Sequence, residues 1–173
     1  MMLRKYDPIV NRYVLFVEQK LLRLREDIRV YGDEAKTDEV LTIKARTVID
    51  FSAAYDVVDP ADGAKVGVLR RKGLKSVLRD EWEVLDRDDR IIGRLFEDSI
   101  GRAMLRRMLL GSLLPQDYDM VIGDMRVADF KQRFNPFVYQ MDIDFRMDAG
   151  RQLDRRLGTA AAMVLAIIEG RQQ

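Results

Sequence analysis

Short stretches in which apolar and polar residues alternate make up most of this chain, and such alternation predicts β-strands. Residues 136–147 show it most regularly, because alternate positions from Tyr139 to Phe145 are apolar and the positions between them are polar. Earlier stretches that also fit strands lie at residues 13–17, 28–31 and 40–44. The pattern therefore favours a mainly β (α+β) protein.

An internal near-repeat occupies the middle of the chain. Residues 55–69 and 82–96 each begin with an aromatic residue, pass through an aspartate into a tight polar turn, and return through a strand with a glycine and a leucine. A weaker third copy covers residues 118–130. In the first turn Pro60 presets φ, and Gly63 tolerates a positive φ. Repeated hairpins of this kind favour an antiparallel meander that closes on itself.

Two segments break the alternation with helical spacing. The first, residues 99–114, is amphipathic, and the second covers residues 154–169. Within the second, residues 157–168 are apolar on every side, and a helix without a polar face must be hidden from water. Asp154 fits an N-terminal cap, and Gly170 fits a C-terminal cap.

The apolar helix has two potential hosts, a bilayer and the interior of a β-structure. A bilayer core of roughly 30 Å needs about 20 apolar residues, whereas this run has twelve and is flanked by charges. Gly158 costs roughly 1 kcal/mol relative to alanine in a helix, which is consistent with a need for a thin helix. We therefore expect a closed barrel around a buried hydrophobic C-terminal helix, with the amphipathic helix outside it and no transmembrane span. Residues 1–173 then form a single domain, with residues 1–11 as a flexible tail and residues 154–169 as the central helix.

The amino-acid composition limits the kinds of functional site that the chain can contain. The 30 basic and 29 acidic residues nearly cancel, so a charged site must be a local patch, and no nucleic-acid partner is expected. The chain has no His and no Cys, which removes the commonest general base, the thiol nucleophile and cysteine-based zinc sites. No catalytic residue and no cofactor are therefore assigned. The first residues lack the apolar run of a signal peptide, and we expect a cytoplasmic protein that is peripheral to the membrane.

Several of these segments together resemble a known protein family. The hairpin at residues 55–69, the following Arg70, Arg71 and Lys72, the strand at residues 82–86 and the closing apolar helix together resemble the LURP-one-related proteins. This family is grouped with the phospholipid scramblases and the tubby C-terminal domain. The resemblance covers roughly residues 11–170 and implies a single tubby C-terminal-like domain, a barrel of about twelve mostly antiparallel strands around a buried helix.

The resemblance implies several activities without choosing one. Tubby-type domains bind phosphoinositide head groups, and scramblases are associated with calcium-dependent lipid redistribution. The acidic segment before the last helix, residues 142–148, fits a calcium loop poorly because Arg146 and Met147 stand where a ligand and the turn glycine belong. No metal site is therefore assigned, and without Cys the palmitoylated anchor of the scramblases is impossible.

The densest run of positive charge, here called the basic segment, spans residues 70–79. It has five cations in ten residues and no acid before Asp80. Arginine and lysine at a strand end fit the phosphates of an anionic lipid. The alternative is a solvated hairpin edge that guards against strand-to-strand aggregation. The cations proposed as ligands of an anionic head group are Arg70, Arg71, Lys72, Lys75 and Arg79.

The amphipathic segment, residues 99–114, is the second candidate surface, for a membrane or for a protein partner. The alternative is a helix packed against the outside of the barrel through its Met and Leu side chains. The residues assigned to this surface are Arg102, Met104, Arg106, Arg107 and Leu109. The only tryptophan, Trp82, is interpreted as a core or rim residue.

The sequence is compatible with three functions. The first is a non-catalytic binding module that recognises anionic phospholipid or phosphoinositide head groups at a membrane surface. The second is a protein-interaction or regulatory scaffold that binds a partner through the amphipathic segment. The third, phospholipid scramblase activity, is disfavoured by the absent His and Cys, the poor calcium loop and the short helix.

Overall fold

Among the residues that the computed structural model describes, the chain forms one mostly antiparallel sheet and one C-terminal helix. The described residues are 2–7, 10–18, 27–33, 35–46, 53–72, 81–97, 116–133 and 140–168. The strands in these ranges are β1 (Met2–Asp7), β2 (Val10–Glu18), β3 (Ile28–Tyr31), β4 (Glu39–Ala45), β5 (Ala54–Val58), β6 (Lys65–Arg71), β7 (Glu81–Leu85), β8 (Ile91–Glu97), β9 (Asp117–Ile122), β10 (Met125–Arg133) and β11 (Gln140–Asp144). The helix is α1 (Arg155–Ile168).

Consecutive strands from β2 to β11 pair antiparallel with each other. β1 pairs antiparallel with β2 and parallel with β11. The prediction of a mainly β fold with one C-terminal helix is therefore confirmed, whereas closure into a barrel of about twelve strands stays a prediction. The amphipathic segment lies outside the described residues, as does the proposed cap Gly170.

The three predicted hairpins are confirmed as β5–β6, β7–β8 and β9–β10. In the first turn, the side chain of Asp59 accepts the amide N–H of Ala61 at 2.9 Å, and in the second, Asp86 accepts the amide N–H of Asp88 at 2.9 Å. The return strands of the first two hairpins, β6 and β8, each carry a glycine at a point where a neighbouring strand comes close. A Cβ on Gly67 would lie 2.6 Å from the carbonyl oxygen of Leu85. The repeat is therefore a repeat of hairpin geometry.

The N-terminal residues differ from the tail that the sequence predicts for residues 1–11. Residues 2–7 form β1, and Val10 begins β2. Leu3 is registered with Leu15 on β2, while Arg4 is registered with both Val14 on β2 and Asp142 on β11. Residues 2–7 show no regular alternation, so their strand conformation comes from pairing with the adjacent β2 and with the distant β11.

The helix α1 is the centre of the hydrophobic core. Ala160, Ala161 and Ala162 are each 0% exposed, and they belong to the same core cluster as apolar residues from β3 to β11. The predicted cap is confirmed, because the side chain of Asp154 accepts the amide N–H of Arg156 at 2.9 Å. Within the described part of the chain, no helix has the length and hydropathy needed to cross a bilayer.

A buried carboxylate fixes the chain just before α1. Asp148 accepts the amide N–H groups of Gln152 and Leu153 at 2.9 and 3.1 Å, and the guanidinium of Arg155 at 2.6 Å. Burial pushes the pKa of Asp148 up, but these three donors outweigh it and hold the pKa below its ordinary value of 3.8. The same guanidinium lies over the ring of Phe145, with Cζ 4.7 Å from the ring centroid.

Because of the Asp148 carboxylate, we expect the folded chain to lose stability in acid. Because the pKa of Asp148 is lower in the folded chain, its contribution is present above the unfolded pKa of about 3.9 and is lost as pH falls through the lower folded value. We expect Asp148→Asn to cost about 1–2 kcal/mol at neutral pH and to flatten the fall in stability below about pH 4. Urea unfolding across this range measures both effects. The control is Asp124→Asn, which removes the same charge from an exposed turn; an equal flattening in both variants contradicts the assignment.

Candidate functional site

The basic segment begins at the end of β6. Arg70 and Arg71 are the last two residues of that strand, and Lys72 follows directly. Lys75 and Arg79 lie outside the described residues. Three of the five cations assigned to a head-group site are therefore placed, all at one end of the sheet.

Two of these cations point to the outer face and make ion pairs with β7. Arg70 is registered with Glu83, and its Nη2 lies 2.7 Å from Oε2 of that residue. The Nζ of Lys72 lies 2.8 Å from Oε1 of Glu81. Both cations keep about two fifths of their side-chain surface exposed, 39% and 42%. The arrangement is that of a charged hairpin edge, the alternative that the sequence left open.

The pairing does not by itself exclude a phosphate. An exposed ion pair contributes about 0–1 kcal/mol, while each cation near an anionic membrane contributes about 1 kcal/mol. Exchanging Glu81 or Glu83 for a lipid phosphate is thus close to neutral in free energy. The two outer cations supply a modest part of any affinity.

Arg71 differs from its two neighbours because it lies on the other face. It is registered with Trp82 and shares the face of β6 that carries the core residue Leu69. Its Cζ is 6.0 Å from the centroid of the Trp82 ring, at the edge of the cation–π range. The basic segment is therefore divided between the two faces of the sheet.

Trp82 belongs to the core, as the sequence predicts. It is 0% exposed, and its ring centroid lies 6.1 Å from that of Tyr55 at an interplanar angle of 41°. Each aromatic residue is the second residue of its strand, β5 for Tyr55 and β7 for Trp82. The aromatic position of the repeat thus lines the core beside Arg71.

All five residues assigned to a membrane or partner surface fall outside the described residues, so this surface stays a prediction. The strands that precede the two candidate surfaces in sequence, β6 and β8, are both described. β6 and β8 run in the same direction, because each pairs antiparallel with β7. β6 and β8 therefore finish at the same end of the sheet.

The acidic segment before α1 distributes its carboxylates to separate partners. Asp142 pairs with Arg133 on β10, and Asp144 pairs with Arg146. The hydrogen bonds from Arg146 outweigh partial burial and lower the pKa of Asp144. Asp148 serves the entry to α1. Among the described residues, no group of three acidic side chains is arranged to hold a cation.

Sequence reasoning treated the basic segment as one surface and missed its division between two faces. The signal was present, because Leu69 is apolar and the period of a strand is two, which places Arg71 on the core face. The role of Arg155 was also missed. Its partner Asp148 lies seven residues earlier in an irregular segment, where no periodicity points to the contact.

Comparisons with known proteins place the chain in a family. The model of the family described as LURP-one-related matches residues 13–166, which is most of the chain. Neither the curated proteins nor the solved structures give a significant match.

Proposed function

We propose that this chain, which belongs to the LURP-one-related family, is a non-catalytic binding module that docks on anionic phospholipid head groups at a membrane surface. The docking end is the one at which β6 ends. The observation that carries the proposal is the run of three cations at this strand end, Arg70, Arg71 and Lys72, which Lys75 and Arg79 continue in sequence. We further propose that the protein acts in the cytoplasm as a peripheral membrane protein.

The opposite end of the sheet supports this orientation. The turns after β5 and β7 carry five aspartates and two arginines, and Arg156 pairs there with Asp59 while Arg46 and Lys65 pair with Asp89. An anionic surface therefore gains less from that end than from the end with the basic segment, and the electrostatic field of the protein favours docking through the basic segment. The five aspartates are Asp59, Asp62, Asp86, Asp88 and Asp89.

We also propose that the sheet closes into a barrel around α1 and that the whole chain is one domain. The pairing of β1 with both β2 and β11 supports closure, because it joins the two edges of the meander. A closed sheet leaves no free edge. It also restricts ligand contact to the outer face and the two ends.

The test is co-sedimentation with vesicles of phosphatidylcholine, with and without phosphatidylserine. We expect binding only when phosphatidylserine is present. The triple variant Arg70→Gln, Arg71→Gln and Lys72→Gln should bind roughly ten- to a hundredfold more weakly, since each cation contributes about 1 kcal/mol.

The matched control removes three positive charges from the opposite end of the sheet. It combines Lys36→Gln, Arg87→Gln and Arg90→Gln, all at exposed turn positions, and should bind as the unmodified chain does. Equal weakening by both triple variants would reduce the effect to net charge and contradict a defined docking end. Binding to neither vesicle by the unmodified chain would contradict the proposal and favour the protein-interaction scaffold.

A further inference from the structure

Met125 is a methionine that the fold holds at its surface. It is the first residue of β10 and is 47% exposed, at the tip of the third hairpin. The turn before it has only two residues, and Gly123 takes a positive φ of 58° there. Because β9 runs antiparallel to β8, this turn lies at the end of the sheet opposite the basic segment. The side chain of Met125 is therefore accessible from solvent, away from the proposed docking end.

The other methionines whose side chains are described are covered more completely. Met120, Met141 and Met163 are at most 1% exposed, and Met147 is half-buried. The chain has no Cys, so methionine supplies all of its sulfur atoms. Exposure governs which of these atoms an oxidant reaches. Within the described part of the chain, Met125 therefore carries the sulfur that a dissolved oxidant meets most readily.

A hydrogen bond distinguishes this sulfur from an ordinary exposed thioether. Nε2 of Gln152 donates to Sδ of Met125 at 3.2 Å. A thioether sulfur has no hydrogen and is only a weak acceptor. The backbone N–H of Gln152 donates at 2.9 Å to Asp148, the carboxylate that fixes the chain just before α1. The amide donor beside the sulfur therefore belongs to a residue whose own backbone is anchored.

We propose that Met125 is a reversible oxidation site, at which a peroxide converts the thioether to a sulfoxide that Gln152 binds. A sulfur lone pair attacks one peroxide oxygen, so that an S–O bond forms and the O–O bond breaks. The attacked oxygen gives up its proton, and the other oxygen leaves as hydroxide and becomes water. The sulfur loses two electrons to the peroxide. A reductase with two thiols reverses the step, since it releases the oxygen as water and becomes a disulfide.

The hydrogen bond gives the sulfoxide a partner within the fold. Oxidation makes the side chain polar, and the amide of Gln152 has two N–H groups beside the atom that receives the oxygen. The oxidised side chain therefore links β10 more strongly to the segment before α1. Because the site lies away from the basic segment, we expect oxidation to leave vesicle binding unchanged.

The test is oxidation of the folded full-length chain with hydrogen peroxide, followed by peptide mass spectrometry. We expect Met125 to gain an oxygen atom roughly tenfold faster than Met120, which is buried on the neighbouring strand. Methionine sulfoxide reductase with dithiothreitol should remove that oxygen. Met125→Leu should lose the fast oxygen uptake, whereas the matched control Met120→Leu should keep it.

The side-chain amide of Gln152 gives a second measurement. In heteronuclear NMR spectra of the unmodified chain, we expect the amide resonances of Gln152 to shift when Met125 is oxidised. They should not shift in Met125→Leu treated with the same peroxide. The variant Gln152→Ala lacks these resonances and so identifies them.

Three results would overturn the oxidation site. The first is oxygen uptake at Met125 that is no faster than at Met120, and the second is a sulfoxide that the reductase does not remove. The third is a Gln152 amide whose resonances do not respond to oxidation. Weaker vesicle binding by the oxidised chain than by the unmodified chain would contradict the separation of this site from the docking end.

Discussion

Ala161→Asp is expected to abolish the cooperative folding of this protein. Ala161 is 0% exposed in the middle of α1, with Ala160 and Ala162 equally buried beside it. A carboxylate there must stay charged without a partner or take up a proton, and either state costs several kcal/mol. Native proteins of this size are stable by only about 5–15 kcal/mol. We therefore expect an aggregated or largely unfolded chain in circular dichroism and urea titration.

Two further variants keep this prediction measurable. Ala161→Ser adds a hydroxyl that can bond within the helix, and should lower the free energy of unfolding by about 1–3 kcal/mol. Ala61→Asp introduces the same carboxylate at an exposed turn position and should be nearly neutral. A chain with Ala161→Asp that unfolds at the same urea concentration as the unmodified chain would show that α1 is not the core.

The second large effect is expected for Gly158→Ala. This substitution should lower the free energy of unfolding, although helix propensity alone would raise it. The exchange should gain about 1 kcal/mol in an exposed helix. In this fold the new Cβ would lie 2.6 Å from Cε1 and 2.8 Å from Cζ of Phe145. The guanidinium of Arg155 occupies a position over the same ring, with Cζ 4.7 Å from its centroid, so the ring has little room to retreat. Overpacking of about 3 kcal/mol then leaves a net loss of about 2 kcal/mol.

The control for this substitution is another glycine of the same region. Gly150→Ala would bring Cβ no closer than 3.8 Å to Gln152, an ordinary contact, and should change stability little. Adding Phe145→Leu to Gly158→Ala should cost less than the two separate changes together, because the smaller side chain removes the clash. Urea unfolding of the four chains gives the coupling. Strict additivity, or a more stable Gly158→Ala chain, would contradict the contact.

These two variants carry a consequence for function. Because α1 is buried from Leu157 to Ile167, we expect a ligand to contact the strands and their connections. In the docking that we propose, the glutamate partners of Arg70 and Lys72 limit the contribution of these two outer cations.

Much of the architecture could be predicted because its signals are local. The turns at Pro60–Gly63 and at residues 87–90 are set by residues within a few positions, and each hairpin pairs neighbouring segments. The cap at Asp154 is equally local. The burial of α1 followed from its uniform apolarity and short length, which leave few other environments.

The candidate site was predicted less well. The basic segment was identified by charge density, but its division between faces depends on which strand lies opposite. Arg70 meets Glu83 and Arg71 meets Trp82 only because β6 and β7 pair in one particular register. A slip of one residue would exchange the two faces.

Local chemistry along the chain thus established the hairpins, the capped apolar helix and the location of positive charge. Tertiary pairing decided that residues 2–7 form a strand, that Asp148 anchors the start of α1, and that Arg71 lies beside Trp82. Turns and caps depend on neighbours within a few residues, whereas registers and buried ion pairs join residues far apart in sequence. Their free energy exists only once the sheet has formed around the helix.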